Sequence, residues 1–297
     1  MHESGQTLAP VLATPLTVIG GLLLFGLLAV GIAVDLALLR HLRRTRADSP
    51  RQAEQLCSRP WRARELGVLL FVQLSLLLLA LSGVDALSRL GGLADKKLLF
   101  YATLAQTLGM HAAAFAMIAS MIRTGRRSWR AAFGLEFRDA GRSLRQSLYL
   151  YLGLLPLVGF YTLIYVTFLQ RIGYPLDTQD VLRMLSDPDL PLWPQVTLGF
   201  MALVSAPVVE ELLFRGIALP VAARHLGVMP AVYLVSFVFA AAHAHPPSFM
   251  TLFVLAVGLS LAYLHSGSIL LPTLIHAVFN TVSLTAYLIV THLPKAG

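Results

Sequence analysis

The apolar runs of this chain are too long and too unbroken for a fold surrounded by water. Eight stand out, at residues 16–39, 66–88, 98–122, 147–169, 194–222, 229–245, 248–264 and 268–291. A helix needs about 20 apolar residues to cross the hydrocarbon core, and only helices or closed barrels satisfy every backbone polar group there. Barrel strands alternate apolar and polar residues, and these runs do not. Charged residues make up 13% of the 297, about half the share usual in soluble domains, and the mean hydropathy is +0.72. The expected fold class is all-α: a polytopic membrane protein of about eight transmembrane helices. Helices 4–8 are expected to surround an intramembrane polar site. The expected organisation is an N-terminal part, 1–145, with helices 1–3 and their basic loops, and a catalytic helical core, 146–297. No internal repeat is visible.

The charges sit where topology puts them. Loop 40–65 carries Arg40, Arg43, Arg44, Arg46, Arg51, Arg59, Arg62 and Arg64, and loop 123–145 carries Arg123, Arg126, Arg127, Arg130, Arg138, Arg142 and Arg145. Loop 170–193 is acidic, with Asp177, Asp180, Asp187 and Asp189. The positive-inside rule places the arginine loops in the cytoplasm, and the acidic loop and both termini outside. A net charge of +8 therefore reads as orientation, and no nucleic-acid partner is implied. The start of the chain lacks the basic residues of a cleavable signal peptide. Segment 129–146 mixes Trp129, Phe133, Leu135 and Phe137 with arginines, either as an interfacial helix or as a basic loop with a few buried aromatics. Cys57, the single cysteine, reads as an incidental loop thiol.

Polar residues inside the spans are the anomaly. Glu210 and Glu211 lie in the fifth run, and a carboxylate at that depth costs on the order of 3 kcal/mol even on lenient scales. Residues i and i+4 share a helix face, so Glu211 pairs with Arg215 on its own helix, in the favourable order. Glu210 has no such partner and is free to face a cavity. Pro207 removes a backbone hydrogen bond just before the pair. Phe239 and His243 repeat the i, i+4 spacing, which packs the ring beneath the imidazole, and so do His276 and Asn280. His111 reads as a helix–helix hydrogen bond, Ser205 as a packing hydroxyl, Asp35 and Gln73 as lone polar residues of spans 1 and 2, and His245 and His292 as interfacial imidazoles. The short connections 223–228 and 265–267 lie on the arginine side, which predicts a wet cavity opening to the cytoplasm or the inner leaflet.

The set Glu210-Glu211-x-x-x-Arg215, Phe239-x-x-x-His243 and His276-x-x-x-Asn280 resembles the three motifs of the CAAX protease and bacteriocin-processing family. These are the Rce1-like or Abi intramembrane endopeptidases. The resemblance covers 194–291 and departs at no signature position. It implies a glutamate-type endopeptidase without metal or cofactor. Glu210 and His243 would activate water, His276 and Asn280 would stabilise the oxyanion, and Glu211, Arg215 and Phe239 would support them. The implied substrate is a membrane-associated protein or peptide precursor, met in the lipid bilayer, and the Ala/Leu/Arg-rich composition suggests a bacterial inner membrane. Two other readings stay open. Two glutamates and two histidines could bind zinc, although His-Glu-x-x-His is absent. The cluster could equally serve binding in a transporter or immunity protein.

Overall fold

The computed structural model describes residues 26, 28–33, 36, 49–91, 96–135, 140–186 and 190–292. Most of the first expected span, with Asp35, Arg40, Arg43, Arg44 and Arg46, lies outside them, as do Phe137, Arg138, Asp187, Asp189 and the side chain of His292. The described residues form helices joined by turns and short loops, with no strand among them. In chain order the helices are α1 (Ser49–Cys57), α2 (Ala63–Gly91), α3 (Lys96–Thr124), α4 (Trp129–Phe133), α5 (Ala140–Arg171) and α6 (Asp180–Leu185). They continue as α7 (Leu192–Leu226), α8 (Val228–Ala242), α9 (Phe249–Ser266) and α10 (Leu270–His292).

Six segments are long and apolar enough to cross a membrane: Ala63–Gly83, Leu104–Thr124, Gly141–Arg171, Leu192–Leu226, Pro246–Ser266 and Leu270–Thr291. Their outward faces carry bare Phe71, Leu79, Leu163 and Leu192. Such faces suit lipid, which supplies no hydrophobic penalty for them. This is an integral, multi-pass membrane protein. Helix α8 has only 15 residues and stops three residues before its expected end. Helices α8 and α9 pack together, α5 covers α9 and α10, and α10 lies along the middle of α7. Helices α2 and α3 pack on each other, joined where Gln73 Nε2 donates to the Met110 carbonyl at 3.3 Å, and α3 also meets α7.

The arginine-rich end is a packed floor. Ser128 caps α4 by accepting from Ala131 N–H, and the helix drives Phe133 into the bundle, where the Trp61 ring meets it tilted, with centroids 5.2 Å apart. Both side chains are fully buried. Within 129–146, residues 129–133 form this short helix with Phe133 buried, and residues from Ala140 onward begin α5. Several loop arginines work as ties as well as topology signals. Arg59 is buried and donates to the carbonyls of Ala131 at 3.2 Å and of Gly267. Arg224 donates to the carbonyls of Arg59 at 2.9 Å and of Trp61. Arg127 pairs with Glu65 at 2.8 Å and covers the Trp61 ring.

Gly134 and Gly267, both with φ +66°, end α4 and α9 face to face. A Cβ on Gly267 would first meet the Gln55 side chain, which can move, whereas one on Gly134 would strike the Gly267 carbonyl, which cannot. Gly267→Ala should therefore cost about 1–2 kcal/mol, the left-handed penalty alone, and Gly134→Ala distinctly more. Thermal unfolding in detergent micelles measures both. Equal losses would show that the floor is not held at that backbone contact.

Candidate active site

Helix α7 carries the two glutamates, and its backbone is not uniform. It winds as π-helix over Met201–Ser205 and again over Leu212–Ala218, with α-helix between at Ala206–Glu211. In a π turn each N–H reaches the carbonyl five residues back. Ala206 N–H bonds Met201 O and Leu219 N–H bonds Phe214 O. The next residue in each case is a proline, Pro207 or Pro220, which has no N–H to continue the series. The Ala202 carbonyl loses its helical donor in this way, and Asn280 Nδ2 replaces it at 2.7 Å.

Glu211 points inward and is fully buried with Arg215. Its Oε1 accepts from Arg215 Nη1 at 2.7 Å and from His276 Nδ1 at 2.9 Å. Arg215 also donates from Nη2 to the Ala256 carbonyl of α9 at 3.1 Å. Its guanidinium lies 4.5 Å from the centre of the Phe239 ring. That ring touches both imidazoles, with centroid distances of 4.8 Å to His243 and 5.7 Å to His276, and meets Phe214 edge-on. Phe239 is thus the apolar hub on which the cation and the two histidines rest.

Glu210 turns to the other side. Its side chain is 23% exposed, and its buried Oε2 has no hydrogen-bond partner. His243 Nε2 stands 4.0 Å from that oxygen and His276 Nε2 3.9 Å. Each imidazole is anchored through its other nitrogen. His243 Nδ1 donates to the Phe239 carbonyl at 2.8 Å, and His276 Nδ1 is held by the Glu211 carboxylate. Both Nε2 atoms therefore face Glu210 across gaps too long for a direct hydrogen bond. A water bonded to two atoms at about 2.8 Å each fits such a gap. Among the described residues no group of three or more His, Cys, Asp or Glu side chains is set to hold a metal ion.

The structure brings Glu210, Glu211, Arg215, Phe239, His243 and His276 together. Asn280 lies beside them with its amide committed to Ala202. Sequence reasoning treated His111 and Ser205 separately, yet they bond each other at 3.0 Å, and His111 lies within electrostatic reach of Glu210. No spacing signal marks this, because the two residues sit in different spans. The expected mouth lies on the arginine side. Helix α8 ends at Ala242, so His243 stands about 22 Å of helix rise from that end. The intervening bundle is filled by Trp61, Phe133, Leu212, Ile217 and Leu219. A concavity of about 210 Å³ lies at the opposite end, lined by Tyr174, Asp177, Thr178, Arg183 and the turn Ala244–Pro247. Its rim is held by His245, whose Nε2 meets the Asp177 carbonyl at 3.0 Å.

The two glutamates should separate in a stability measurement. Glu211→Gln or Arg215→Leu strips one partner from a fully buried pair, a loss of about 3–5 kcal/mol. Glu210→Gln removes no partner and should leave the melting temperature in detergent unchanged. A Glu211→Gln protein as stable as wild type would reverse the two assignments.

Residues 191–282 match the family model described as type II CAAX prenyl endopeptidase Rce1-like. The match takes in every residue of the cluster and leaves out α2 and α3. Comparison with curated proteins and with solved structures gave no match. The matched stretch, which takes in α7, α8, α9 and the first half of α10, is thus similar to an Rce1-like endopeptidase domain and is set within a larger multi-span chain.

Proposed function

We propose that this protein hydrolyses a peptide bond of a membrane-associated protein or peptide precursor, with Glu210 as general base. The observation that carries the reading is the unpartnered Oε2 of Glu210, faced by two anchored Nε2 atoms at 3.9 and 4.0 Å. A water there donates one hydrogen to Glu210 and the other to His243 Nε2, which its Nδ1 anchor leaves as an acceptor. Its lone pair attacks the peptide carbonyl, and Glu210 takes the proton as the C–O bond forms. His276 donates from Nε2 to the oxyanion while its Nδ1 stays on Glu211. Such a donor in a dry site is worth roughly 3 kcal/mol. Glu210 then returns the proton to the leaving amine as the C–N bond breaks. Asn280 holds the Ala202 carbonyl with one amide hydrogen and offers the other to the oxyanion. Glu211, Arg215 and Phe239 hold His276 and His243 in register.

In this reading residues 146–297 carry the chemistry in a bacterial cytoplasmic membrane, and residues 1–145 support it. The family description points to CAAX-type tails as one substrate class, with or without a prenyl group. Purified protein in micelles, given internally quenched CAAX peptides with and without farnesyl, is one assay. The membrane proteome of cells carrying wild type or Glu210→Gln, compared for new peptide termini, is a second that presumes no substrate.

Glu210→Gln should abolish cleavage in either assay. Undiminished cleavage by the purified variant would defeat the mechanism. EDTA and o-phenanthroline should leave wild-type activity intact. Loss on chelation, restored by Zn²⁺, would move the site to the zinc-dependent reading.

A further inference from the structure

The helix pair α2–α3 lies outside the matched domain, yet α3 packs against Ala206–Glu211, the α-helical piece that presents Glu210. One hydrogen bond borders that contact. His111 Nδ1 bonds Ser205 Oγ at 3.0 Å, and Ser205 is the last residue of the first π stretch. From the other flank, Asn280 holds Ala202, near the start of that stretch. The π turn is therefore gripped at both ends, from α3 and from α10.

The grip bears on the chemistry because a π turn sets rotation. It accommodates one residue more than an α turn. If Met201–Ser205 relaxed into α-helix, the piece after it would turn by about 100°, one residue's worth. Glu210 lies only five residues beyond Ser205, with no irregularity between. Such a turn would carry its carboxylate out of the space between His243 and His276. Pro207 cannot hold the π turn against rotation, since it lacks the N–H that would bond Ala202 and fixes φ at one residue only. Ser205 itself is about 140° around the helix from Glu210, so His111 acts through the backbone and not by touching the reacting water.

We infer that His111 is a positioning residue for Glu210: its bond to Ser205, opposed by Asn280 on Ala202, holds the π turn that aims the carboxylate at the two histidines. This rests on Glu210 being the working base, but its geometry can be read without turnover. In a Cys57→Ser background, Glu210→Cys and His243→Cys place two thiols across the gap. A short bifunctional thiol reagent should link them efficiently while His111 is present. His111→Ala should lower the yield roughly five- to tenfold, the population change that one hydrogen bond supports. His111→Asn sets an amide where Nδ1 stood and should restore most of it. Equal yields in all three, or a loss that Asn does not repair, would overturn the inference. In the otherwise unmodified protein, His111→Ala should lower kcat on the quenched peptide about tenfold with KM unchanged. A KM effect alone would mean that His111 shapes substrate binding and would also overturn it. If Glu210→Gln leaves cleavage intact while the cross-link follows His111, the clamp stands and the catalytic reading fails; the reverse pattern separates them the other way.

Discussion

A carboxylate with no access to water depends on the protein for its partners, and Glu211 takes two on one oxygen, from its own helix and from α10. Arg215 neutralises it from one turn away. His276 of α10 donates to the same oxygen, and the guanidinium is in turn shared with the Ala256 carbonyl of α9 and the Phe239 ring of α8. A buried pair of this kind is weak evidence for net stability. What it supplies here is direction. Because His276 spends Nδ1 on Glu211, its Nε2 has one way to face, and that is toward Glu210. The neutralising interaction and the orienting one are the same bond.

The irregularity of α7 follows from a related constraint. A straight α-helix through this bundle would place Glu210 and Glu211 at fixed angles to every other residue of α7. Two π stretches, each running into a proline, free the six residues Ala206–Glu211 from that register. The freed carbonyl then needs a donor, and a side chain from the neighbouring helix provides it. Departures from regular backbone are tolerated in a membrane where a neighbour satisfies the released groups. They are also where sites concentrate.

The spans were legible because apolar length is a strong signal, and the motif residues were legible because i, i+4 spacing on an apolar helix is hard to produce by accident. Glu211 with Arg215 is a local pair and could be read from spacing. The His276–Glu211 bond joins residues 65 apart, and nothing in the spacing of either run announces it. Asn280 could be placed on the face of His276, but its partner Ala202 is a backbone carbonyl freed by a π turn, and π turns leave no hydrophobic period to read. The end of α8 was misplaced because Ala242, His243 and Ala244 continue an apolar run. Ala244 adopts φ +49°, a conformation that composition does not encode.

Helix α8 rises only about 22 Å, against about 30 Å for the hydrocarbon core of a typical bilayer. The chain leaves helical structure at His243 and enters a turn of polar and proline residues before α9 begins. Anchored at the arginine-rich floor, such a helix cannot reach the far interface, so the lipid beside it must thin or water must descend to meet the turn. Either response brings the headgroup region down to the histidine. If the proposed substrate is a tail held at the membrane, its scissile bond would have a short path to travel, and the thickness of the surrounding membrane would become a variable of the reaction.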